Sequence, residues 1–400
     1  MSITAGVGLS KNIADSKQAG YEACKIAIEK MGGGKPSFMF TFASVAFDQS
    51  AVMAGIADAS DHAPGIGCSN AGAITSEGPS LKSVAVMAIK SDNIVFTNDI
   101  GKDIKMDARS AGHSVAESIQ KKASAPLKAF VMLPDVLTGN GAEIVRGILD
   151  VLGPHFPVMG GAAGDDFLFK QTYQYCNDQA VSGAVAGVGL SGAFHFAVGV
   201  RHGWVPVSQP MKVTKSEGAV LHTLDNRPAV SIYEDYFGTK AEELRQEPLA
   251  RMAITYPLGI KIPDLDEYLI RDPITVDENG AITCAAEIPV GSEIRLMIGN
   301  KEKAIEAAEE AARKVMKDLD ADHTKPKFVL MFNCIAREKL FAQRAKEEVD
   351  AVMNILGSDV PLLGFYTYGE QAPLSGETKN TELIQSRFFN ETIVLLAVGE

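Results

Sequence analysis

Three short stretches of the 400-residue sequence gather the side chains best suited to holding a small molecule. They read PGIGCSNAG (64–72), PVMGGAAGD (157–165) and PLLGFYTYG (361–369). The first supplies the short polar side chains of Cys68, Ser69 and Asn70. The second supplies Gly160, Gly161 and Gly164, where a ligand can come close to backbone N–H groups. The third supplies Phe365, Tyr366 and Tyr368, aromatic walls of which two end in hydroxyls. Asp165, Asp166 and Glu370 add carboxylates suited to an amine. GGAAG is neither a Walker loop nor GxGxxG, so a nucleotide site is not expected.

A second constellation is Cys334 with Arg337 in FNCIAR. A cation beside a thiol lowers its pKa and makes a nucleophile, which opens an enzymatic reading through Cys334. His323 is the nearest histidine in sequence, but residues 328–334 extended span roughly 20 Å, which puts it at the other end of the strand. Arg337 is expected instead to meet a loop carboxylate such as Glu370, or the carboxylate of a ligand. No GxSxG or HExxH signature occurs. His195 and His202, in HFAVGVRH, are the candidates for an axial haem ligand, lying together or at opposite ends of one strand. No CxxCH motif exists for covalent haem attachment.

The elements that must position these residues repeat. Each PxxG stretch follows an apolar run (38–42, 130–133, 328–332), an amphipathic helix fits each gap, and a third strand-like run follows (83–89, 184–190, 392–398). One strand–helix–strand unit used three times is the expectation. Loops at the carboxyl ends of parallel strands are where open α/β sheets bind ligands, and the three stretches fall at such ends. Helices are expected over 15–31, from Asp48, over 110–122, after Gly139–Gly141, over 304–319 and over 341–356. Ser191-Gly192 reads as a hairpin turn, and 269–298 as an antiparallel meander. The fold class is α/β, with two domains of mixed parallel and antiparallel sheets flanked by helices. They divide as 1–237 and 238–400, with 238–246 as linker.

Bulk composition narrows the function. Apolar residues make up 46% and charged residues 22%, ordinary for a globular protein. The net charge of −12 disfavours nucleic acid and anionic membranes as partners. No run reaches the ~18 apolar residues of a membrane span, and residues 1–18 lack a signal-peptide pattern. Five scattered cysteines without CxxC spacing indicate reduced thiols and no metal, hence a cytoplasmic location.

With these motifs in hand, the chain resembles the FIST family, with tandem FIST N and FIST C domains. The matching stretches are GIGCSNAGAI (65–74), VMGGAAGDDF (158–167), SGAVAGVGLSG (182–192), HGWVPV (202–207) and LDNRPAV (224–230). Further on they are LIRDPITVDENGAI (269–282), FNCIAR (332–337), LGFYTYGEQAP (363–373) and FFNETIVLLAV (388–398). The resemblance implies a sensory protein without established catalysis, binding a small ligand such as an amino acid. It also implies, as an alternative, a haem-binding nitric-oxide sensor. Members often carry fused output domains. Here the output is expected from a separate kinase, cyclase or chemoreceptor partner.

Overall fold

A computed structural model describes residues 3–238, 255–262 and 267–400. The 238–246 linker expectation falls, beyond Gly238, outside them. Three similar units follow one another. The first holds β1 (Thr4–Ser10), α1 (Ser16–Met31), β2 (Phe38–Ser44), α2 (Gln49–Ser60), β3 (Gly65–Asn70), the hairpin β4 (Ala73–Thr75) and β5 (Gly78–Ser80), and β6 (Val84–Lys90). The second holds β7 (Ile94–Gly101), α3 (Ala108–Lys122), β8 (Leu127–Pro134), α4 (Gly141–Leu152), β9 (Val158–Gly161), the hairpin β10 (Gln174–Cys176) and β11 (Gln179–Val181), and β12 (Val185–Gly192).

The third unit opens with β13 (His195–Arg201) and is then interrupted by an inserted sheet. That sheet holds β14 (Trp204–Pro206), β15 (Met211–Glu217), β16 (Val220–Leu224), β17 (Arg227–Pro228), α5 (Ser231–Phe237), β18 (Leu258–Lys261), β19 (Tyr268–Arg271), β20 (Pro273–Val276), β21 (Ile282–Cys284) and β22 (Glu293–Gly299). The unit resumes with α6 (Lys301–Ala321), β23 (Pro326–Cys334), α7 (Ile335–Phe341), α8 (Ala345–Leu356), β24 (Leu362–Thr367), the hairpin β25 (Glu370–Pro373) and β26 (Ser386–Phe389), and β27 (Ile393–Gly399).

The helices begin where polar caps stand. Asp15, Asp48, Asp107, Asn140 and Asn300 each accept a hydrogen bond from a first-turn amide, satisfying donors the helix leaves open. In each unit two strands run parallel (β2–β3, β8–β9, β23–β24), and β6, β12 or β27 lies antiparallel beside the first of them. Alternation sorts the side chains of the central strands. Phe38, Phe40 and Phe42, Val131 and Leu133, and Phe328, Leu330 and Phe332 all enter one shared core. Met39, Phe130 and Met331 face outward onto the helix pairs that cover each sheet. The three sheets therefore form a barrel-like body around one core, with helices outside.

Each unit gives its hairpin to a neighbour. The β4–β5 hairpin extends the sheet of the third unit by pairing with β24. The β10–β11 hairpin joins β3 of the first, and the β25–β26 hairpin joins β9 of the second. The donation is cyclic.

The structure corrects three local expectations. Ser191-Gly192 does not turn a hairpin: β12 pairs with β7 and β8, whereas β13 pairs with β27 in another sheet. The chain crosses between sheets there, with the Ala193 amide bonded to the Asn93 carbonyl. The meander is broken as well. β20 and β21 form the expected hairpin, but β21 continues to β16, and β22 lies among β14, β15 and β18. Finally, the helix over 341–356 splits at Ala342, whose φ of 52° is left-handed.

Candidate functional site

Most of the signature residues lie in strands and not in the loops after them. Cys68, Ser69 and Asn70 belong to β3, Gly160 and Gly161 to β9, and Phe365 and Tyr366 to β24. The parallel neighbours β2 and β23 stay paired through Asn70 and Thr367, and the donated hairpins pair along the other edge of β3, β9 and β24. The PxxG glycine is a packing residue in all three copies. A Cβ at Gly67, Gly160 or Gly364 would stand 2.0, 1.9 or 2.1 Å from the carbonyl oxygen of Thr41, Met132 or Met331 on the parallel neighbour.

The three stretches do converge, and they seal one another. The Ala71 amide donates to the Tyr366 carbonyl, that of Ala162 to Gly369, and that of Gly164 to Ser69. The Ala163 amide donates to Pro134. The backbone N–H groups of Ala162, Ala163 and Gly164 are thus engaged within the protein. Asp165 is buried and anchors the following loop, accepting from the amides of Phe169, Lys170 and Gln171 and from the Tyr368 hydroxyl. That loop is strained, with Asp166, Phe167 and Phe169 at φ of 54°, 66° and 53°. Phe169 stacks on Tyr368 with ring centroids 4.7 Å apart. Phe365 packs in the core against Phe42. Cys68 faces the same core, where burial pushes its thiol far up.

Cys334 and Arg337 are not poised for nucleophilic chemistry. Burial raises the Cys334 thiol well above its ordinary value, and the Glu370, Asp272 and Glu391 carboxyls add to the shift. Arg337 is fully buried and pairs with neither Glu370 nor an open space. It meets Glu348 on α8 at 2.6 Å and donates to the carbonyls of His202 and Ala304. All five cysteines are reduced and buried.

An opening does exist beside this junction. A cleft of about 390 Å³ lies where β13, α6 and the inserted sheet meet. Arg201 stands in it between Glu310, at 3.3 Å, and Glu267, at 3.6 Å. Trp204 and Tyr268 give aromatic lining, and Thr392 and Phe389 reach it from the barrel side. Thr392 also donates its hydroxyl to Glu370 at 2.6 Å, tying the cleft to the third signature stretch. Glu370 is buried, and its carboxyl is pushed up to about 8 by that burial, against the pull of its Thr367 and Thr392 donors.

His202 borders the cleft and accepts from the Trp204 amide at Nδ1. Burial, helped by the Arg337 and Arg201 charges, lowers its pKa to about 4, so its imidazole is neutral. His195 lies at the opposite end of β13, half exposed beside Asp322. One haem cannot take both as ligands. Among the described residues no group of three His, Cys, Asp or Glu is spaced to hold a metal ion, and no helix is long and apolar enough to cross a membrane. Sequence reading missed Arg201, Glu267 and Glu310, because their meeting depends on where the inserted sheet lands.

Comparison with known proteins follows this geometry. The FIST N domain model matches residues 37–227 and the FIST C domain model residues 229–373. An uncharacterized protein of Mycobacterium tuberculosis is 25% identical over 384 residues, covering 93% of this chain and 95% of its own. One of Methanocaldococcus jannaschii is 23% identical over 322 residues, covering 76% and 60%. Among solved structures, a chorismatase aligns over 100% of both chains at 9% identity with a TM-score of 0.38. The two domain models run in tandem along most of the sequence, and the chain belongs to the FIST family.

Proposed function

We propose that this protein is a sensor of a small charged metabolite, binding it in the cleft between β13, α6 and the inserted sheet. FIST domains are sensory domains. The observation that carries the finer reading is Arg201 held between Glu310 and Glu267 in an opening of about 390 Å³. A ligand carboxylate can take the guanidinium, and a ligand amine can take the carboxylates released from it. Amino acids and related amines are the fitting class. Binding there bears on two bodies at once, the barrel and the inserted sheet, so closure of one on the other is the signal. The recipient is a separate cytoplasmic partner protein, such as a kinase, cyclase or chemoreceptor.

The test is a thermal-shift screen of amino acids, amines and small carboxylates, followed by calorimetry. A ligand present at about 100 times its Kd stabilises by about 2.7 kcal/mol, which a melting curve resolves. Arg201→Ala and Glu310→Gln, both at a half-exposed site, should abolish the shift while leaving the unliganded melting temperature close to that of wild type. If no compound shifts the protein, or if these variants respond like wild type, the cleft is not the sensing site.

A further inference from the structure

Asp272 and Glu391 stand carboxyl to carboxyl across the seam between the inserted sheet and the barrel. Asp272 directly follows β19, and Glu391 lies in the turn between β26 and β27 with a left-handed φ of 61°. Glu391 has no exposed surface. Among the described residues, no amide, hydroxyl or guanidinium donates to either of its carboxyl oxygens or to Oδ1 of Asp272. An ionised carboxylate has nothing to donate, so the two groups can bond each other only while one of them keeps a proton.

The surroundings offer little else. Glu370 adds a third carboxyl, already engaged with Thr367 and Thr392. From the inserted sheet comes Arg271, whose guanidinium donates to the carbonyls of Ile270, Glu287 and Phe388. Arg146 and Glu287, paired with each other, lie beyond it. From α7 comes Arg337, which pairs with Glu348, donates to the Glu391 backbone carbonyl at 3.4 Å and by its charge pulls the Glu391 carboxyl down against the larger effect of burial. Tyr233 of α5 and the thiols of Cys284 and Cys334 face the cluster too, and burial raises all three.

We propose that Asp272, Glu391 and Glu370 form a proton-binding site whose occupancy latches the inserted sheet onto the barrel. Two adjacent residues of the sheet grip the barrel at this point: Arg271 through the Phe388 carbonyl and Asp272 through Glu391. With the proton in place the seam is satisfied. Without it, like charges meet in a water-poor place where, among the described residues, the nearby guanidinium groups of Arg271 and Arg337 donate elsewhere, and the seam loosens.

The direction in pH follows. Burial pushes Asp272 up to about 6 and Glu370 up to about 8, and Glu391 well above its ordinary value. Carboxyls raised on folding stabilise the closed form fully below their ordinary range, near about 4. The bond across the seam outlasts the ionisation of Asp272 at about 6 and is lost when Glu391 gives up the remaining proton, with a further loss as Glu370 ionises at about 8.

Trp204 reports on the seam. It is the sole tryptophan, packs with Ile270 and Met297 of the inserted sheet, and lies under the Arg337 guanidinium. In ligand-free protein, its fluorescence should hold past about 6, while Glu391 keeps its proton beside ionised Asp272, and change reversibly at higher pH when that last proton leaves, with faster amide exchange in β19 and β21. Using ligand-free protein keeps this test separate from the metabolite reading. The double variant Asp272→Asn with Glu391→Gln bonds across the seam without a proton. Its fluorescence should stay flat until Glu370 titrates near about 8. A wild type with no transition, or a variant whose curve superimposes on that of wild type, overturns the latch. Infrared spectroscopy on wild type covers the case where the variant does not fold. A protonated carboxyl C=O band should be present at about neutral pH and weaken as the pH passes about 8, and its absence at neutral pH also overturns the latch.

Discussion

The Tyr368 hydroxyl donates to Oδ1 of Asp165 at 2.5 Å, joining residues 203 positions apart in the chain. The bond fastens the third signature stretch to the second. It also pins a loop whose Asp166, Phe167 and Phe169 sit in left-handed conformations. Removing the hydroxyl with Tyr368→Phe leaves Asp165 its three amide donors, so the cost should be that of one charge-assisted bond, about 1–3 kcal/mol. Urea unfolding measures it, and amide exchange in residues 166–171 should quicken.

Arg337 and Glu348 form an ion pair with both side chains fully buried. Breaking such a pair from one side strands the other charge, at about 3–5 kcal/mol. Arg337→Met should lose that much in denaturant unfolding, and also leaves the His202 and Ala304 carbonyls without their donor. Adding Glu348→Leu should recover part of the loss. A double variant no better than the single one would show that the carbonyl contacts, and not the charge, dominate.

The PxxG glycine is expected to tolerate no side chain in any copy. Gly67→Ala, Gly160→Ala and Gly364→Ala each drive a methyl onto a neighbouring carbonyl oxygen at about 2 Å, an overpacking that costs about 1–3 kcal/mol or more. Gly33→Ala, where a Cβ meets nothing within 4 Å, is the control and should cost about 1 kcal/mol for its left-handed φ alone. Melting temperatures of the four variants decide the matter.

Native thiol reactivity separates a sensor from an enzyme working through Cys334. All five cysteines are buried, and burial lifts the Cys24 and Cys284 thiols to about 12 and Cys334 well above its ordinary value. Folded protein should therefore react slowly with iodoacetamide across neutral pH, and five thiols should titrate once it is denatured. A single fast-reacting thiol mapped to Cys334 would revive the catalytic reading.

Much of this architecture could be read from residues near one another in sequence. The helix starts at Asp15 and Asp48 and the apolar runs of β2, β8 and β23 are local signals, and each element formed where its signal stood. The triple PxxG motif marked a real repeat, since the same close contact of parallel strands recurs in each copy. What failed was the pairing of distant partners. Ser191-Gly192 looks like a hairpin because the strands on either side are adjacent in sequence, yet hydrogen bonding assigns them to different sheets. Arg337 found Glu348, a residue on the next helix that no spacing rule singles out. The cleft was invisible for a similar reason: Arg201 closes β13 before the inserted sheet begins, whereas Glu267 lies within the insertion, just before β19.

The cyclic gift of hairpins has a consequence for synthesis. The receiving edge for Ala73–Thr75 is Leu362–Thr367, made 287 residues after Thr75. At about 5–20 residues per second the ribosome needs roughly 15–60 s to produce it. Through that interval the nascent chain displays a finished strand with an open edge, the kind that recruits stray strands in a crowded cell. Residues 362–367 therefore serve residues 73–75 as a built-in chaperone, and a chain cut short before Leu362 leaves that hairpin without its receiving edge.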